Sequence, residues 1–215
     1  MKMSAMKIDE LVLGPISTNV YVVSDTRTRE CVVIDPAAKP NQIAAFIEKE
    51  GLIPKAILIT HGHFDHILAV SGLREMYPEL TVYAHEGDRE FLLRPHSGDF
   101  RVDFAQFGFT PDVYLKGGEK LELAGFVWEV YSTPGHSAGS VCYYIKDENT
   151  LFAGDTVFCG TYGRCDLETG SIADMVRSYN DTVFRFPDET KVYSGHGSST
   201  TIEYERSYSE ILNLL

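Results

Sequence analysis

The sequence is poor in cysteine and has no long apolar run. Its four cysteines form no Cys-x-x-Cys pair, so neither a disulfide scaffold nor a thiolate zinc site is predicted, and we expect reduced thiols. No apolar stretch reaches the length that spans a bilayer, and the first residues lack the apolar segment of a secretory signal. These absences predict a cytoplasmic protein with no membrane partner.

Positive charge is also scarce. The chain has 19 Lys and Arg against 31 Asp and Glu, which gives a formal net charge of −12. Nucleic-acid backbones are bound by clustered Lys and Arg, and the sequence contains no such cluster. We therefore expect no nucleic-acid partner, whereas a small anionic substrate could be held by one or two local cations. Nothing in the composition indicates an oligomeric state.

The 215 residues, 44% of them hydrophobic, are enough for one well-buried domain. Apolar runs bounded by turn residues predict strands at residues 20–23, 31–35, 55–60, 81–85, 120–123, 127–133, 140–145, 151–153 and 191–194. Helices are predicted at residues 40–51, 66–76, 86–93, 171–186 and 200–212. This order indicates an α+β fold in which two packed sheets carry helices outside them, in a single domain spanning residues 1–215.

Residues 95–111 show no regular pattern and are rich in phenylalanine. One interpretation is a lid or wall that shields an acyl group over a cleft. The interpretation that we favour is a connection whose rings fill a gap in the core or a subunit contact. The sequence does not decide the role of residues 100–109.

Histidines are few but concentrated at one point of the chain. Three of the seven, His61, His63 and His66, stand with Asp65 directly after the apolar residues 56–59. Neutral imidazole and carboxylate groups are ligands for zinc and neighbouring first-row metals, and the end of a strand can direct them into a cleft. The motif therefore predicts a metal site at the end of a strand.

Three later positions repeat this arrangement, in which a metal-competent side chain among glycines follows a short strand: His136, Asp155 and His196. Adjacent glycines allow the backbone and a metal to approach closely. Together with the first motif, these three residues are predicted to be metal ligands. His85, which closes a predicted strand on its own, is interpreted instead as a structural histidine.

The order of these motifs, His-x-His-x-Asp-His followed by a lone His, a lone Asp and a final His, resembles the metallo-β-lactamase superfamily over nearly the whole chain. The resemblance implies a four-layer αββα sandwich with the site at one edge between the two sheets. It also implies two metal ions, with zinc expected and iron or manganese as alternatives. The implied ligands are His61, His63 and His136 for one metal, Asp65, His66 and His196 for the other, and Asp155 bridging both.

Such a pair of metals would carry out hydrolysis. Two ions about 3.5–4 Å apart can share a water and lower its pKa from about 15.7 toward neutrality, which gives a bridging hydroxide nucleophile and makes a Ser or Cys nucleophile unnecessary. Asp65 could accept a hydrogen bond from the hydroxide and orient it, which adds a catalytic role to its role as a ligand. The metals would also stabilise the oxyanion that forms.

Two segments resemble the glyoxalase II-like branch of the superfamily, namely residues 154–158 (Gly-Asp-Thr-Val-Phe) and residues 163–166 (Gly-Arg-Cys-Asp). The best-known zinc β-lactamases carry Cys at the bridging position, so Asp155 argues against antibiotic hydrolysis. Arg164 is a candidate clamp for a substrate carboxylate. An equally weighted interpretation is a structural ion pair of Arg164 with Asp166 or Asp174.

The chain departs from full-length glyoxalase II enzymes, which carry a C-terminal helical domain and a Tyr soon after the last metal histidine. Here Gly-Ser-Ser occupies residues 197–199, and the sequence stops 19 residues after His196. The chain thus resembles the short, single-domain glyoxalase II-like hydrolases, and glutathione recognition is left open. The predicted function is hydrolysis of a small thioester or ester of the S-lactoylglutathione kind, because a thiol leaving group with a pKa near 8.5 needs little protonation.

The main alternative is a persulfide dioxygenase with a single iron, since those relatives share much of the motif and a Gly-Arg-x-Asp turn. A lactonase, a nuclease and a metal-binding module without catalysis are less favoured. The acidic balance argues against the nuclease, and the presence of every ligand position argues against a module that has lost catalysis.

Overall fold

Two six-stranded sheets form the centre of the structure, a computed structural model that describes residues 5–95 and 104–215. The first sheet contains, in spatial order, β1 (Met6–Leu13), β2 (Thr18–Asp25), β3 (Glu30–Ile34), β4 (Ile53–Leu58), β5 (Thr81–His85) and β6 (Val113–Leu115). The first three strands pair antiparallel, and β3 to β6 pair parallel. The carboxyl ends of these four parallel strands therefore share one edge of the sheet.

The second sheet is built from β7 (Lys120–Leu123), β8 (Phe126–Ser132), β9 (Val141–Ile145), β10 (Thr150–Gly154), β13 (Lys191–Ser194) and β14 (Thr200–Thr201). Its spatial order is β14-β13-β10-β9-β8-β7, and only the β10–β13 pair is parallel. A separate two-stranded hairpin, β11 (Val157–Phe158) and β12 (Thr161–Tyr162), follows β10.

Six α-helices complete the described part of the chain: α1 (Pro40–Lys49), α2 (Phe64–Ile67), α3 (Val70–Met76), α4 (Arg89–Leu93), α5 (Ile172–Asp181) and α6 (Ile202–Tyr208). Pro40 occupies the first turn of α1, where its missing N–H costs nothing. Ser171 caps α5, because its side chain accepts the backbone N–H of Asp174. None of the described helices is long and apolar enough to cross a membrane.

Hydrophobic residues form three layers of core because successive side chains of a strand point to opposite faces of its sheet. Between the two sheets, Leu58 of the first sheet belongs to the same cluster as Trp128 and Phe152 of the second. The outer face of the first sheet packs with Ile43 of α1, and the outer face of the second packs with Tyr179 of α5. These layers confirm the predicted α+β fold, a four-layer αββα sandwich.

Several predicted boundaries were wrong. Strand β1 was not predicted, because this edge strand carries charged residues and is mostly half-buried, so it has no continuous apolar run. The predicted helix 66–76 is divided into α2 and α3, which are separated by residues 68–69. The predicted helices 171–186 and 200–212 end earlier as α-helices, and 3₁₀ turns at Val183–Arg185 and Glu210–Leu214 continue them.

The phenylalanine-rich segment is described only in part, and Phe100 lies outside the described residues. Phe109 is buried and packs in the core on the outer face of the first sheet, as the favoured interpretation expected. Phe104 stacks on Phe64, with ring centroids 4.6 Å apart and an interplanar angle of 12°.

Candidate metal centre

The seven predicted ligands meet at one edge of the sandwich, between the two sheets. Four of them follow β4, and the others follow β8, β10 and β13. Five of the seven side chains are buried, whereas His63 and His196 are half-buried. The long-range packing of the sheets therefore brings together residues that are far apart in the sequence.

The first group of candidate ligands contains His61, His63 and His136, whose ligand atoms lie within 4.8 Å of one another. His63 Nδ1 lies 2.8 Å from His136 Nε2. The Nδ1–H of His136 donates to the backbone carbonyl of Arg164 at 2.7 Å, which leaves Nε2 facing the group. Burial lowers the pKa of His63 to about 3 and that of His61 well below its ordinary value, so both rings are neutral with lone pairs available.

The second group contains Asp65, His66 and His196, and its ligand atoms also lie within 4.8 Å of one another. Asp65 Oδ2 is 3.2 Å from His66 Nε2 and 3.3 Å from His196 Nε2. Burial alone would lower the pKa of His66 and of His196, but the effect of the neighbouring carboxylates is larger. The pKa of His66 lies well above its ordinary value and that of His196 rises to about 9, because the neighbouring carboxylates stabilise the protonated rings.

Asp155 lies between the two groups. Its Oδ2 is 3.5 Å from Nε2 of His136 in the first group and 3.5 Å from Nε2 of His196 in the second. Its Oδ1 is 3.4 Å from His66 Nε2. Burial would raise the pKa of this carboxyl, but the charge of His66 and contacts with the other histidines hold it below its ordinary value. A carboxylate in this position can serve two cations at once.

Three buried polar atoms at this point have no hydrogen-bond partner among the described residues: His61 Nε2, His66 Nε2 and Asp155 Oδ1. Buried polar atoms are normally paired, so unpaired ring nitrogens beside a carboxylate oxygen indicate a cation site. Imidazole and carboxylate donors of this number suit zinc, iron or manganese. The residues present therefore fit the metals that the sequence implies.

Asp35 is buried and contacts both ligand groups on the Nδ1 side of their histidine rings, directly at His66 and through Thr60 at His61. It accepts hydrogen bonds from Thr60 N at 2.7 Å and from the Thr60 hydroxyl at 2.6 Å, as well as from His66 Nδ1 at 2.9 Å. Because the Thr60 hydroxyl gives its proton to Asp35, its oxygen accepts from His61 Nδ1 at 3.1 Å. Asp35 thus orients both histidines so that each Nε2 faces the site.

The start of β2 holds the second group. The Thr18 hydroxyl donates to Asp65 Oδ2 at 2.9 Å and is completely buried. The backbone N–H of Asn19 donates to the Gly195 carbonyl, and the Asn19 amide donates to the Ser194 and Gly197 carbonyls. A Cβ at Gly195 would collide with Asp155 Oδ1, so only glycine allows this approach. These contacts place the loop that carries His196.

The arrangement of these ligands agrees with a comparison of the sequence with known families. The profile described as the metallo-beta-lactamase superfamily matches residues 13–196, which include every candidate ligand. The chain belongs to the metallo-β-lactamase superfamily. This assignment confirms the resemblance predicted from the sequence and supports hydrolase activity in general terms.

Two named relatives are similar to this superfamily member over most of its length. It is 35% identical over 211 residues to the probable metallo-hydrolase YqgX of Bacillus subtilis (strain 168), covering 97% of this chain and 98% of that one. It is 32% identical over 179 residues to a hydroxyacylglutathione hydrolase of Thermosynechococcus vestitus, covering 82% of this chain but 62% of that protein.

Solved structures give the same fold. The structure of the BLEG-1 B3 metallo-beta-lactamase matches with a TM-score of 0.89 and 36% identity, covering 96% of this chain and 99% of that chain. A di-iron-bound form of TTHA1623 matches with a TM-score of 0.81 and 32% identity, covering 94% and 98%. The second structure shows that a relative of this superfamily member holds two iron ions.

Arg164, the candidate substrate clamp, forms one of the ion pairs that the sequence suggested. Its Nε lies 2.7 Å from Asp166 Oδ1 and its Nη2 lies 2.8 Å from Asp166 Oδ2, and this hydrogen bonding lowers the pKa of Asp166 to about 2. The side chain is half exposed, so the pair itself contributes little stability. The role as a clamp stays a prediction, whereas the contact of its carbonyl with His136 is a role that no side-chain pattern could have revealed.

His85, interpreted as structural, is in none of the ligand groups formed by the described residues. Its Nδ1 accepts the backbone N–H of Gly87 at 3.1 Å. Neither Thr18 nor Asp35 was predicted to belong to the site. The signal for Asp35 was an aspartate directly after a buried strand, the same signal that identified Asp155, but without adjacent glycines. Thr18 had no local signal, because its partner Asp65 is 47 residues away in the sequence.

Proposed function

We propose that this chain is a binuclear metal-dependent hydrolase that acts on a small thioester or ester of the S-lactoylglutathione kind. The observation that carries the proposal is the position of Asp155, whose carboxylate lies within 3.5 Å of ring nitrogens from both ligand groups. In this proposal one metal is held by His61, His63 and His136, the other by Asp65, His66 and His196, and Asp155 is shared.

Two divalent ions bound at these residues would supply a water of lowered pKa and stabilise a developing oxyanion. The chain itself contributes orientation. The Thr18 hydroxyl donates to Asp65 Oδ2 and so restricts rotation of the carboxylate that is proposed to orient the attacking water. Asp35 keeps the imidazoles of His61 and His66 in the tautomer that turns Nε2 toward the site.

The buried thiols do not offer an alternative nucleophile. Burial raises the pKa of Cys31 to about 12 and that of Cys142 to about 11, so neither is a thiolate at neutral pH. Burial also raises the pKa of Cys165 to about 11. A mechanism in which water attacks the acyl carbon is therefore consistent with the thiols described here.

The choice of a thioester is supported by two features. The hydroxyacylglutathione hydrolase of Thermosynechococcus vestitus is 32% identical over 82% of this chain. A thiol leaves readily as a thiolate, so hydrolysis of a thioester needs no strong general acid at the site. The chain covers 62% of that relative's length.

The test is an assay of zinc-loaded protein for thiol release from S-lactoylglutathione and from acyl thioesters of other small thiols. Oxygen esters with the same acyl groups serve as the matched comparison. We expect hydrolysis of at least one thioester at a rate well above that of its oxygen ester. Hydrolysis of none of these compounds by fully metal-loaded protein would contradict the proposal.

Asp155 argues against hydrolysis of a β-lactam ring, but this reaction is a second candidate function because the BLEG-1 B3 metallo-beta-lactamase is 36% identical to this chain and covers 96% of it. A β-lactam is also an acyl compound attacked by water, so the same site could act on it. Penicillin, cephalosporin and carbapenem substrates belong in the same assay, and a preference for them over every thioester would favour this candidate.

The persulfide dioxygenase predicted as an alternative differs from the hydrolase in its number of metal ions and in its use of oxygen. It requires one iron per chain and oxygen uptake when glutathione persulfide is supplied. Metal analysis by mass spectrometry, combined with an oxygen electrode, distinguishes it from a hydrolase with two ions.

A further inference from the structure

Asp88 is a buried carboxylate that supplies no candidate ligand but uses both of its oxygens. It ends the 3₁₀ turn Glu86–Asp88 after β5 and is only 2% exposed. Its Oδ2 accepts the backbone N–H of Gly62 and the hydroxyl of Ser137, each at 2.7 Å. Its Oδ1 accepts the backbone N–H of Gly139, also at 2.7 Å. Three short hydrogen bonds to one buried side chain indicate a fixed position.

The donors belong to the two loops that form the first ligand group. Gly62 lies between His61 and His63, and Ser137 follows His136 directly. These loops come from different sheets, and 73 residues separate His63 from His136. None of the three donors is a residue of the second group, Asp65, His66 and His196. Thr18 contacts that group alone, whereas Asp35 contacts His66 and also the Thr60 hydroxyl beside His61.

The backbones of the two loops approach closely at Asp88. A Cβ added at Gly62 would lie 2.9 Å from the Cβ of Asp88, and one at Gly87 would lie 2.8 Å from the carbonyl oxygen of Ala138. Real Cβ atoms do not tolerate contacts this short, so glycine is required at both positions. The Asp88 turn is therefore in close contact with both loops.

We propose that Asp88 is a positioning residue that sets the separation of His61 and His63 from His136, and so selectively supports one of two metal sites. The proposal rests on the proposed function in that it assumes a metal bound by the first group. It gives Asp88 no contact with substrate and no part in the reaction itself.

Asp88→Asn is the informative substitution. A carboxylate offers acceptors on both oxygens, whereas an amide offers one oxygen and one NH₂ group. In either orientation of the amide, the NH₂ group faces at least one of the backbone N–H donors, so the two loops lose part of their link. Replacing residues that orient metal ligands typically lowers metal affinity about 10–100-fold, and we expect this loss at the first group alone.

The experiment is a titration of metal-free, full-length protein with Co²⁺, followed by visible absorption and calorimetry. His136→Ala and His196→Ala serve as references, because each removes a ligand from one group only. Asp25→Asn is the matched control, since Asp25 is also a buried aspartate but pairs with Arg27 at the opposite end of β2. In Asp88→Asn we expect the spectral component that His136→Ala lacks to need about 10–100-fold more Co²⁺, and the component that His196→Ala lacks to be unchanged. Asp25→Asn should show both components at wild-type affinity.

Two results would overturn the proposal: binding of both ions by Asp88→Asn as tightly as by the wild type, or equal weakening of both ions. Failure of the proposed function is separable. If the wild type binds a single Co²⁺, the proposal of a two-metal hydrolase is wrong. The role of Asp88 is then tested by the affinity of Asp88→Asn for that one ion. A single ion whose spectrum is lost in His196→Ala but kept in His136→Ala would overturn both.

Ser137→Ala provides a second variant if Asp88→Asn does not fold. It removes one of the three donors and leaves the carboxylate in place. We expect the first group to lose about 10-fold in Co²⁺ affinity, at the lower end of the range for such residues, with the second group unchanged. Unchanged affinity at both groups in Ser137→Ala would equally overturn the proposal.

Discussion

The His61–His63–His136 group and the Asp65–His66–His196 group lie side by side, but they hold protons very differently. In the first group burial dominates: it keeps the pKa of His63 near 3 and that of His61 well below its ordinary value, so these two rings are neutral. In the second group carboxylates outweigh burial and raise the pKa of His196 to about 9. The difference shows that one site can contain a group that is ready for a cation and another that must first release protons.

Replacing Asp155 with Asn would disrupt both groups together, because it removes the charge that they share. We expect the rate of hydrolysis to fall on the order of 10²–10³-fold, since both ions lose their common ligand. Metal content by mass spectrometry should fall below two ions per chain, while circular dichroism stays unchanged. Asp25→Asn makes the same chemical change far from the site and should keep full activity. Undiminished hydrolysis by Asp155→Asn would show that the carboxylate does not bridge.

Replacing Asp35 with Asn would test whether the two groups depend on a common support. This carboxylate orients His66 directly and His61 through Thr60, so we expect both ions to bind about 10–100-fold more weakly. Hydrogen bonds to a buried carboxylate contribute about 1.5–3 kcal/mol, and urea unfolding of the metal-free protein should show a loss of this size. Weaker binding of only one ion would contradict this prediction, because it would show that Asp35 supports one ligand group and not both.

Varying the pH would test the electrostatic difference itself. His196 keeps its proton below about pH 9 in the metal-free protein, so an ion entering the second group must displace it. Apparent affinity for that ion should fall about tenfold per pH unit for each proton released as the pH drops from about 8 to 6. His63 is already deprotonated over this range and adds no such slope to the first group. Calorimetry in buffers of different ionisation enthalpy measures the released protons, and equal slopes for both ions would contradict the comparison.

Replacing Thr18 with Val should have the smallest effect. Valine keeps the shape of threonine but removes the hydroxyl that fixes Asp65 Oδ2. A hydrogen bond to a charged group contributes about 1.5 kcal/mol at the lower end of its range, so kcat should fall roughly tenfold with little change in KM. Thr18→Ser retains the hydroxyl and should recover most of the activity. If the serine variant is as impaired as the valine variant, packing rather than the hydrogen bond is responsible.

The sequence predicted which residues meet at the candidate metal centre more completely than it predicted the residues that orient them. His61, His63, Asp65 and His66 lie within six consecutive positions after β4, so their density alone indicated a metal site. His136, Asp155 and His196 were recognisable because glycines flank each of them after a short strand. These are local signals, and local signals can be read without knowing how distant segments pack.

The supports are invisible for the converse reason. The supporting residues contact partners that are distant in the sequence: 25 positions for Asp35 and Thr60, 47 for Thr18 and Asp65, and 26 for Asp88 and Gly62. No pattern in the neighbouring sequence indicates these partners. The carbonyl of Arg164 that orients His136 is a backbone group that every residue possesses. The edge strand β1 escaped prediction because a half-buried edge tolerates charge at positions where a central strand does not.

The most direct test of a two-metal hydrolase is the dependence of activity on metal stoichiometry. Metal-free protein is titrated with Zn²⁺, and thioester hydrolysis and bound zinc are measured in the same samples. The geometry around Asp155 predicts that activity rises mainly as the second equivalent binds and reaches its maximum at two ions per chain. Full activity with one ion per chain, and no change on binding of a second, would contradict the account.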